Sequence, residues 1–564
     1  YINQYDIFPN DQFDLGSPEW LQWFSSNYFY NWDEGRVFGG SDRFYGTSRA
    51  VTNEARIDFT SQLTDLWKLR LGFDYKSHKL NFDEVKNPWE GEAAFTQSFE
   101  ERFFDTGPDG LLPLDDDYTG PDVGEGNGKW DKGEAFEDDN GNNSWDDYRE
   151  PEELSMYIQN TYEVPWMVIN AGVRVDMVNY NTQLWADTLG NSSPNLPWYY
   201  QDSNQNGKRD PNEPASTSPG FAQQETIFTK ADWFSKVSPR LGFSHVITDQ
   251  ATFTFSYGVY YQTPIYQNIY LNTNRLDNPE ELFEESEGVL GNATMNASRT
   301  QQYEFAFNFQ VNRFWVIKLG GWVRDMDQLS TIKSYRSGVY SYQVFGNGDY
   351  GSAKGVDFTL ENRGMLVNMM LQYTFSVAKA NSEYDWAAIG AEARDAPSQE
   401  FLMPFDRTHD LTLSLHSQLP YGINAGITAF FQSGSPYTPL IFNGDTPEAD
   451  TRNKYSKRNE SYKNMNLSLS KYVRIGGYLV AVGLDVFNVL DIKNALDTYP
   501  LTGEPDDPGE YYTQNVGVPI NIYNNVLDNG PLDTKHTLSG SFYDTPWRYN
   551  SPRQVNFFVQ INFN

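Results

Sequence analysis

The chain has 564 residues, with 42 basic against 76 acidic side chains, no cysteine and a mean hydropathy of −0.63. Without cysteine there is no disulfide framework, thiolate metal site or cysteine nucleophile, and a net charge of −34 argues against nucleic acid, which needs a basic face. No run approaches the roughly 18 consecutive apolar residues of a membrane-spanning helix, and an aromatic content of 16% is foreign to disordered chains.

Aromatics in so polar a chain need a specific location, and a transmembrane β-barrel provides one, with strands apolar on one face, polar on the other, and aromatic girdles at both interfaces. In chain order, alternation predicts fifteen strands: 52–64, 67–80, 153–163, 166–180, 233–247, 251–262, 299–311, 314–325, 353–362, 365–378, 407–419, 421–432, 461–471, 476–488 and 553–563. Met167, Ile169, Ala171, Val173, Val175 and Met177 share one face, for example, and Asn170, Gly172, Arg174 and Asp176 the other. Very short turns join the strands in pairs, near Thr64–Trp67, Val164–Trp166, Thr248–Gln250, Asn312–Arg313, Arg363–Met365, Pro420–Tyr421 and Tyr472–Gly476. Long polar segments separate the pairs: 81–152, 181–232, 263–298, 326–352, 379–406, 433–460 and 489–552.

Short turns alternating with long loops are the pattern of an outer-membrane barrel, with turns periplasmic and loops extracellular. The fold class is therefore all-β, a transmembrane antiparallel β-barrel. Residues 1–51 are expected to form an extracellular segment leading into it. The barrel itself spans 52–564, with acidic insertions at 81–152 and 181–232. Single-chain bacterial barrels have an even strand count, and an open edge in lipid is costly. An odd count that starts with an inward strand is thus expected of the C-terminal part of a larger barrel.

Ordered pieces of the chain resemble the TonB-dependent outer-membrane receptors, particularly the group with an N-terminal carboxypeptidase-regulatory-like domain. They are Glu153–Tyr180, with its YxQ…GxRxD layout, and Lys236–Tyr266, with SPRxG followed by TD and YGxxxQxP. Ala353–Ala378, PFDRTHD at Pro404–Asp410, GSPYT at Gly434–Thr438 and DVFNV at Asp485–Val489 follow in order. The last strand alternates Val555, Phe557, Val559, Ile561 and Phe563 with polar residues, which is similar to the signal read by the barrel-assembly machinery. The resemblance implies a 22-stranded barrel around a plug, of which this sequence carries about 15 strands and no plug. It implies capture of a ligand by loops and lumen, import energised by a TonB-type complex acting on the plug, outer-membrane lipid around the barrel, and a surface lipoprotein as a further partner.

The sharpest local motif is Asp202-x-Asn204-x-Asn206-Gly207-x-x-Asp210-x-x-Glu213. It matches a calcium loop, whose spacing wraps six to eight oxygens round one ion. Pro211 and Pro214 exclude an exiting helix, so a helix-less extracellular loop is expected. Two looser copies follow the same spacing: Glu125, Asn127, Asp131 and Glu134, with Val123 in the first position, and Asp138, Asn140, Asn142 and Asp146, with Arg149 in place of the closing Glu. Residues 105–152 hold 16 acids against 3 bases, a repulsion that a divalent ion would relieve. Calcium is the cofactor these loops predict.

No catalytic residues are expected. Asp406, Arg407, His409 and Asp410 could suggest acid–base chemistry but read as a structural ion-pair cluster, and the aromatics of Trp198–Gln201 read as loop packing. A surface anchor or adhesin, a passive pore and a surface hydrolase are the alternatives to a receptor.

Overall fold

The computed structural model describes residues 30–31, 36–37 and 44–562, less 87–94, 108–109, 111–118, 122, 126–129, 137, 139–142, 187–196, 202, 204–208, 217–224, 277–288, 338–339, 365, 382–399, 445, 497 and 506–548. Fifteen long strands occupy these residues: β1 (Phe44–Thr64), β2 (Trp67–Lys86), β3 (Glu152–Val164), β4 (Met167–Asn179), β5 (Phe234–Thr248), β6 (Ala251–Gln262), β7 (Ser298–Gln310), β8 (Trp315–Ser337), β9 (Tyr340–Arg363), β10 (Val367–Ala380), β11 (His409–Leu419), β12 (Ile423–Gln432), β13 (Tyr462–Ile475), β14 (Tyr478–Phe487) and β15 (Gln554–Asn562). Antiparallel register runs unbroken from β1 to β15, and the sheet closes into a barrel with β15 beside β1. Because directions alternate along that run, β1 and β15 point the same way.

All fifteen predicted strands are present, but several are longer than alternation suggested. β1 begins at Phe44 rather than residue 52, and β2 continues to Lys86. The largest difference is in 326–352, predicted as a loop. It is the outer part of a hairpin in which β8 has 23 residues and β9 has 24. Only about 9–11 tilted residues are needed to cross a bilayer, so this hairpin projects far beyond the wall.

Register shows why the wall is two-faced. Ile57, Phe73, Met156, Val175 and Val237 are successive cross-strand partners. One residue away, Arg56, Asp74, Ser155, Asp176 and Lys236 form the parallel row on the other face. A slip of one residue would exchange the rows, putting charges into lipid. Near the short turns Trp67, Trp166, Tyr421 and Tyr478 are exposed, as an interfacial girdle requires. The β13–β14 turn uses Gly476 and Gly477 at φ of 58° and 92°, the left-handed pair that a two-residue hairpin demands.

A single-layer wall buries little, so the packed core lies at the long-loop end. There a short helix, α1 (Tyr266–Tyr270), sits among Leu80, Phe99, Val178, Tyr180, Ile332 and Phe345. Ile269 and Tyr270 are fully buried, and the Tyr270 hydroxyl donates to the Tyr180 carbonyl at 2.6 Å. A second cluster joins Trp185, Leu276, Leu290, Tyr342 and Val344, with Trp185 Nε1 donating to the Leu276 carbonyl at 2.7 Å. The described parts of 181–232 and 263–297, together with the projecting hairpin, thus form one cap.

Candidate functional site

Beneath the cap, the inward faces of β1–β6 form two contiguous hollows. The outer, of about 300 Å³, is lined by both signs of charge, among them Asp74, Lys76, Glu153, Asp176 and Lys236. Its charges are largely paired. Arg174 Nε donates to Asp176 Oδ1 at 2.7 Å, where Ser155 Oγ also donates at 2.7 Å. Glu153 accepts from the Tyr266 hydroxyl of α1 at 2.5 Å, so one carboxylate links wall to cap. The inner hollow, of about 360 Å³, lies toward the short-turn end and shares Arg174, Arg240 and Tyr260 with the outer.

Rings lie over glycines at several places around the barrel. Gly72, Gly355 and Gly483 are direct cross-strand partners of Tyr157, Trp322 and Phe558. A Cβ at Gly72 would come within 1.9 Å of the Tyr157 ring, so the glycine is what lets the ring lie flat. Tyr157 then donates its hydroxyl to Asp58 at 2.6 Å, and Trp322 Nε1 donates to Asp357 at 3.0 Å.

The predicted calcium-loop residues are only partly in view. Asp202, Asn204, Asn206, Asn127, Asn140 and Asn142 lie outside the described residues, and among those described no three acidic or histidine side chains gather at one point. Asp210 and Glu213 form a tight turn: Glu213 is 2% exposed and accepts from Asp210 N at 2.9 Å and from Ser203 N at 2.7 Å. Asp131 and Glu134 repeat it. Glu134 is 4% exposed and accepts from Asp131 N at 2.7 Å and from Gly107 N at 3.0 Å. Glu125 is half-buried.

The third copy departs from the sequence expectation in an informative way. Asp138 accepts from Asn143 N at 2.7 Å, and Asp146 is buried. Asp146 N, the equivalent of Asp131 N and Asp210 N, donates at 3.0 Å to Glu101, a fully buried carboxylate more than 40 residues earlier. Glu101 thus takes the place of the closing Glu that the third copy lacks. Arg149, which holds that position in sequence, turns inward to lie 4.0 Å from Glu101. Spacing within one loop gave no signal for Glu101, because it comes from another segment.

The Asp406 cluster does not converge as a catalytic group. Asp406 is buried and pairs with Arg458 at 2.6 Å, not with Arg407, and also accepts from Thr408 Oγ1 and Ala378 N. His409 meets the Tyr373 hydroxyl and Asp410 meets Gln432. The arrangement latches segment 433–460 to the start of β11. Trp198, Tyr199 and Tyr200 are buried.

A closed barrel built from an antiparallel run of strands, apolar outward and charged inward, defines a transmembrane β-barrel protein. The family model described as TonB dependent receptor-like, beta-barrel matches residues 2–489, and the chain belongs to that family, whose members are outer-membrane proteins. No functionally curated protein matches the chain. Among solved structures, it is similar to the FrpB iron transporter from Neisseria meningitidis (F3-3 variant), at 11% identity, TM-score 0.44, over 79% of this chain and 51% of that one. It is similar to the copper transporter OprC at 12% identity, TM-score 0.43, over 82% and 54%. It is also similar to the ferric yersiniabactin uptake receptor FyuA from Yersinia pestis at 10% identity, TM-score 0.42, over 81% and 51%. The chain spans about half the length of these proteins.

Proposed function

We propose that this barrel captures a solute between its long loops and lumen and passes it inward across the outer membrane, driven by a TonB-type energising complex. The observation that carries the reading is the family match over residues 2–489, joined to a charged, hollow lumen wall beneath a packed loop cap. The chain has no cysteine, so a single Ser256→Cys placed in the inner hollow can be labelled specifically. In intact cells, labelling by a membrane-impermeant maleimide should change rate when the proton gradient is collapsed. Equal rates with and without the gradient would count against energised import and favour an open pore or a surface anchor.

The loops are also proposed to bind calcium. Three buried carboxylates, Glu101, Glu134 and Glu213, each accept the N–H of an aspartate three-quarters of the way along a calcium-type repeat. A carboxylate oxygen carrying one N–H keeps a lone pair for a cation. Chelation by EDTA should raise protease cleavage within 105–149 and 201–216. Unchanged cleavage would reject calcium.

A further inference from the structure

We propose that Lys354 and Lys379 form a docking site on the outside of the barrel for the phosphate of an outer-leaflet lipid. The site is on the face turned away from the lumen, on β9 and β10, each of which pairs with a described strand on both sides. It is independent of the transported solute.

Register places both lysines on the lipid face. Tyr303, Val323, Lys354 and Val377 are successive cross-strand partners in one row. Phe305, Gly321, Val356 and Phe375 form the row two residues nearer the short turns. Tyr303, Val323, Val356 and Phe375 are exposed, so these rows present apolar surface to acyl chains. Charge begins at the height of Lys354, and the next row up reads Gln301, Asp325, Ser352 and Lys379. Lys354 stands nine residues above the end of β9 at Arg363, and Lys379 twelve above the start of β10 at Val367. A tilted strand crosses the hydrocarbon layer in about 9–11 residues, so both ammonium groups reach the outer headgroup level.

The two lysines are poised to share one anion. Lys354 is opposite Val377 and Lys379 is opposite Ser352, which makes the lysines diagonal neighbours about 7–8 Å apart at the backbone. Flexible four-carbon stems let two ammonium groups close on a phosphate from that spacing, with the Ser352 hydroxyl between them as a further donor. Both side chains are exposed, and neither has an ion-pair or hydrogen-bond partner among the described residues. Other outward cations are engaged: Arg299 pairs with Asp327, and Lys79 lies over the Tyr148 ring. Asp325, opposite Ser352 and diagonal to Lys354, forms no ion pair among the described residues, and its charge opposes the site. A phosphate above with apolar side chains directly below it is the layout of a lipid, which a free phosphate ion would use only in part.

The test uses protein purified in detergent from its own outer membrane and stripped of lipid by detergent exchange. Native mass spectrometry counts bound dioleoyl phosphatidic acid against dioleoyl phosphatidylcholine. One phosphatidic acid should bind more tightly than phosphatidylcholine, weaken as salt rises, and resist displacement by inorganic phosphate. Lys354→Gln and Lys379→Gln should each weaken it about fivefold, the contribution of one basic residue at an anionic lipid surface. Lys354→Arg should retain binding and Asp325→Asn should tighten it. All these positions are exposed, so the barrel should fold in each variant, and Lys354→Arg checks this with the charge kept. Lys463→Gln is the control, an outward lysine whose neighbours β12 and β14 carry no Lys or Arg. Equal retention of the two lipids, or no change in either glutamine variant, overturns the proposal. An equal loss from Lys463→Gln would reduce the effect to surface charge and overturn the site. Displacement by inorganic phosphate would show an ion site without an acyl contribution and overturn the lipid.

Discussion

Arg149 donates from Nη2 to the Glu100 carbonyl oxygen at 2.9 Å and to Thr273 Oγ1 at 3.2 Å, and it lies beside the fully buried Glu101. It therefore pins the acidic insertion to the segment that carries α1. Removing one partner of a buried charge pair costs about 3–5 kcal/mol, because the other is left uncompensated. Arg149→Ala should release residues 99–107 and 145–149 to hydrogen exchange while the strands stay protected; wall and insertion exchanging together would show that Arg149 does not act locally. Neighbouring Glu100 adds a pH dependence. Burial raises its carboxyl above the ordinary value, Asp83 and Asp147 add to this, and Ser98 and Arg149 oppose it. A raised acid favours the folded insertion when protonated, so its contribution is full below the unfolded value and is lost as pH rises through the elevated folded one. Glu100→Gln should make protease resistance of the insertion less sensitive to pH between about 4 and 7 and raise it at neutral pH. An unchanged profile would remove Glu100 from the account.

At the scale of the element, ring-over-glycine pairs couple neighbouring strands. Gly72→Ala must push the Tyr157 ring aside and break its bond to Asp58. Overpacking of this kind costs about 1–3 kcal/mol. Gly242→Ala is the control, since its nearest contact is an ordinary 3.7 Å. The urea midpoint of the detergent-folded barrel should fall for the first and hold or rise for the second. Equal shifts would reduce the pairing to glycine propensity alone. The strands were legible in the sequence because a wall with lipid on one side and water on the other enforces period 2. The outer half of the β8–β9 hairpin was not, for two reasons. It lies beyond the bilayer, and its register shifts at Met326, Leu329 and Ser330, with Gln328 at φ of 56°. A bulge reverses the phase of alternation, so a pattern followed across it cancels. The cap was hidden likewise, since Tyr270, Trp185 and Val344 meet through non-local contacts. The Asp406 cluster was legible as an ion-pair cluster, but its cation, Arg458, lies about fifty residues on and gave no local signal. Arg174 and Gly172 were visible on one face of β4, but the diagonal that joins Lys354 to Lys379 exists only in the register of β9 with β10.

Over the whole molecule, charge is sorted by height. Acidic loops stand at one end, charges of both signs line the upper wall, and four arginines line the hollow below it. Residues 105–152 alone carry 16 acids against 3 bases. Their mutual repulsion is screened over roughly 8 Å at 0.15 M salt but reaches about 30 Å at 0.01 M. The wall depends on backbone ladders and apolar contact with lipid, neither of which is governed by salt. Lowering ionic strength should therefore accelerate proteolysis within 105–152 while the strands remain intact. Calcium chloride added at matched ionic strength should reverse the effect more strongly than magnesium chloride, because the smaller ion keeps its water and demands a stricter octahedron. Equal protection by the two salts would assign the effect to screening, leaving Glu101, Glu134 and Glu213 as carboxylates that hold backbone N–H groups and nothing more.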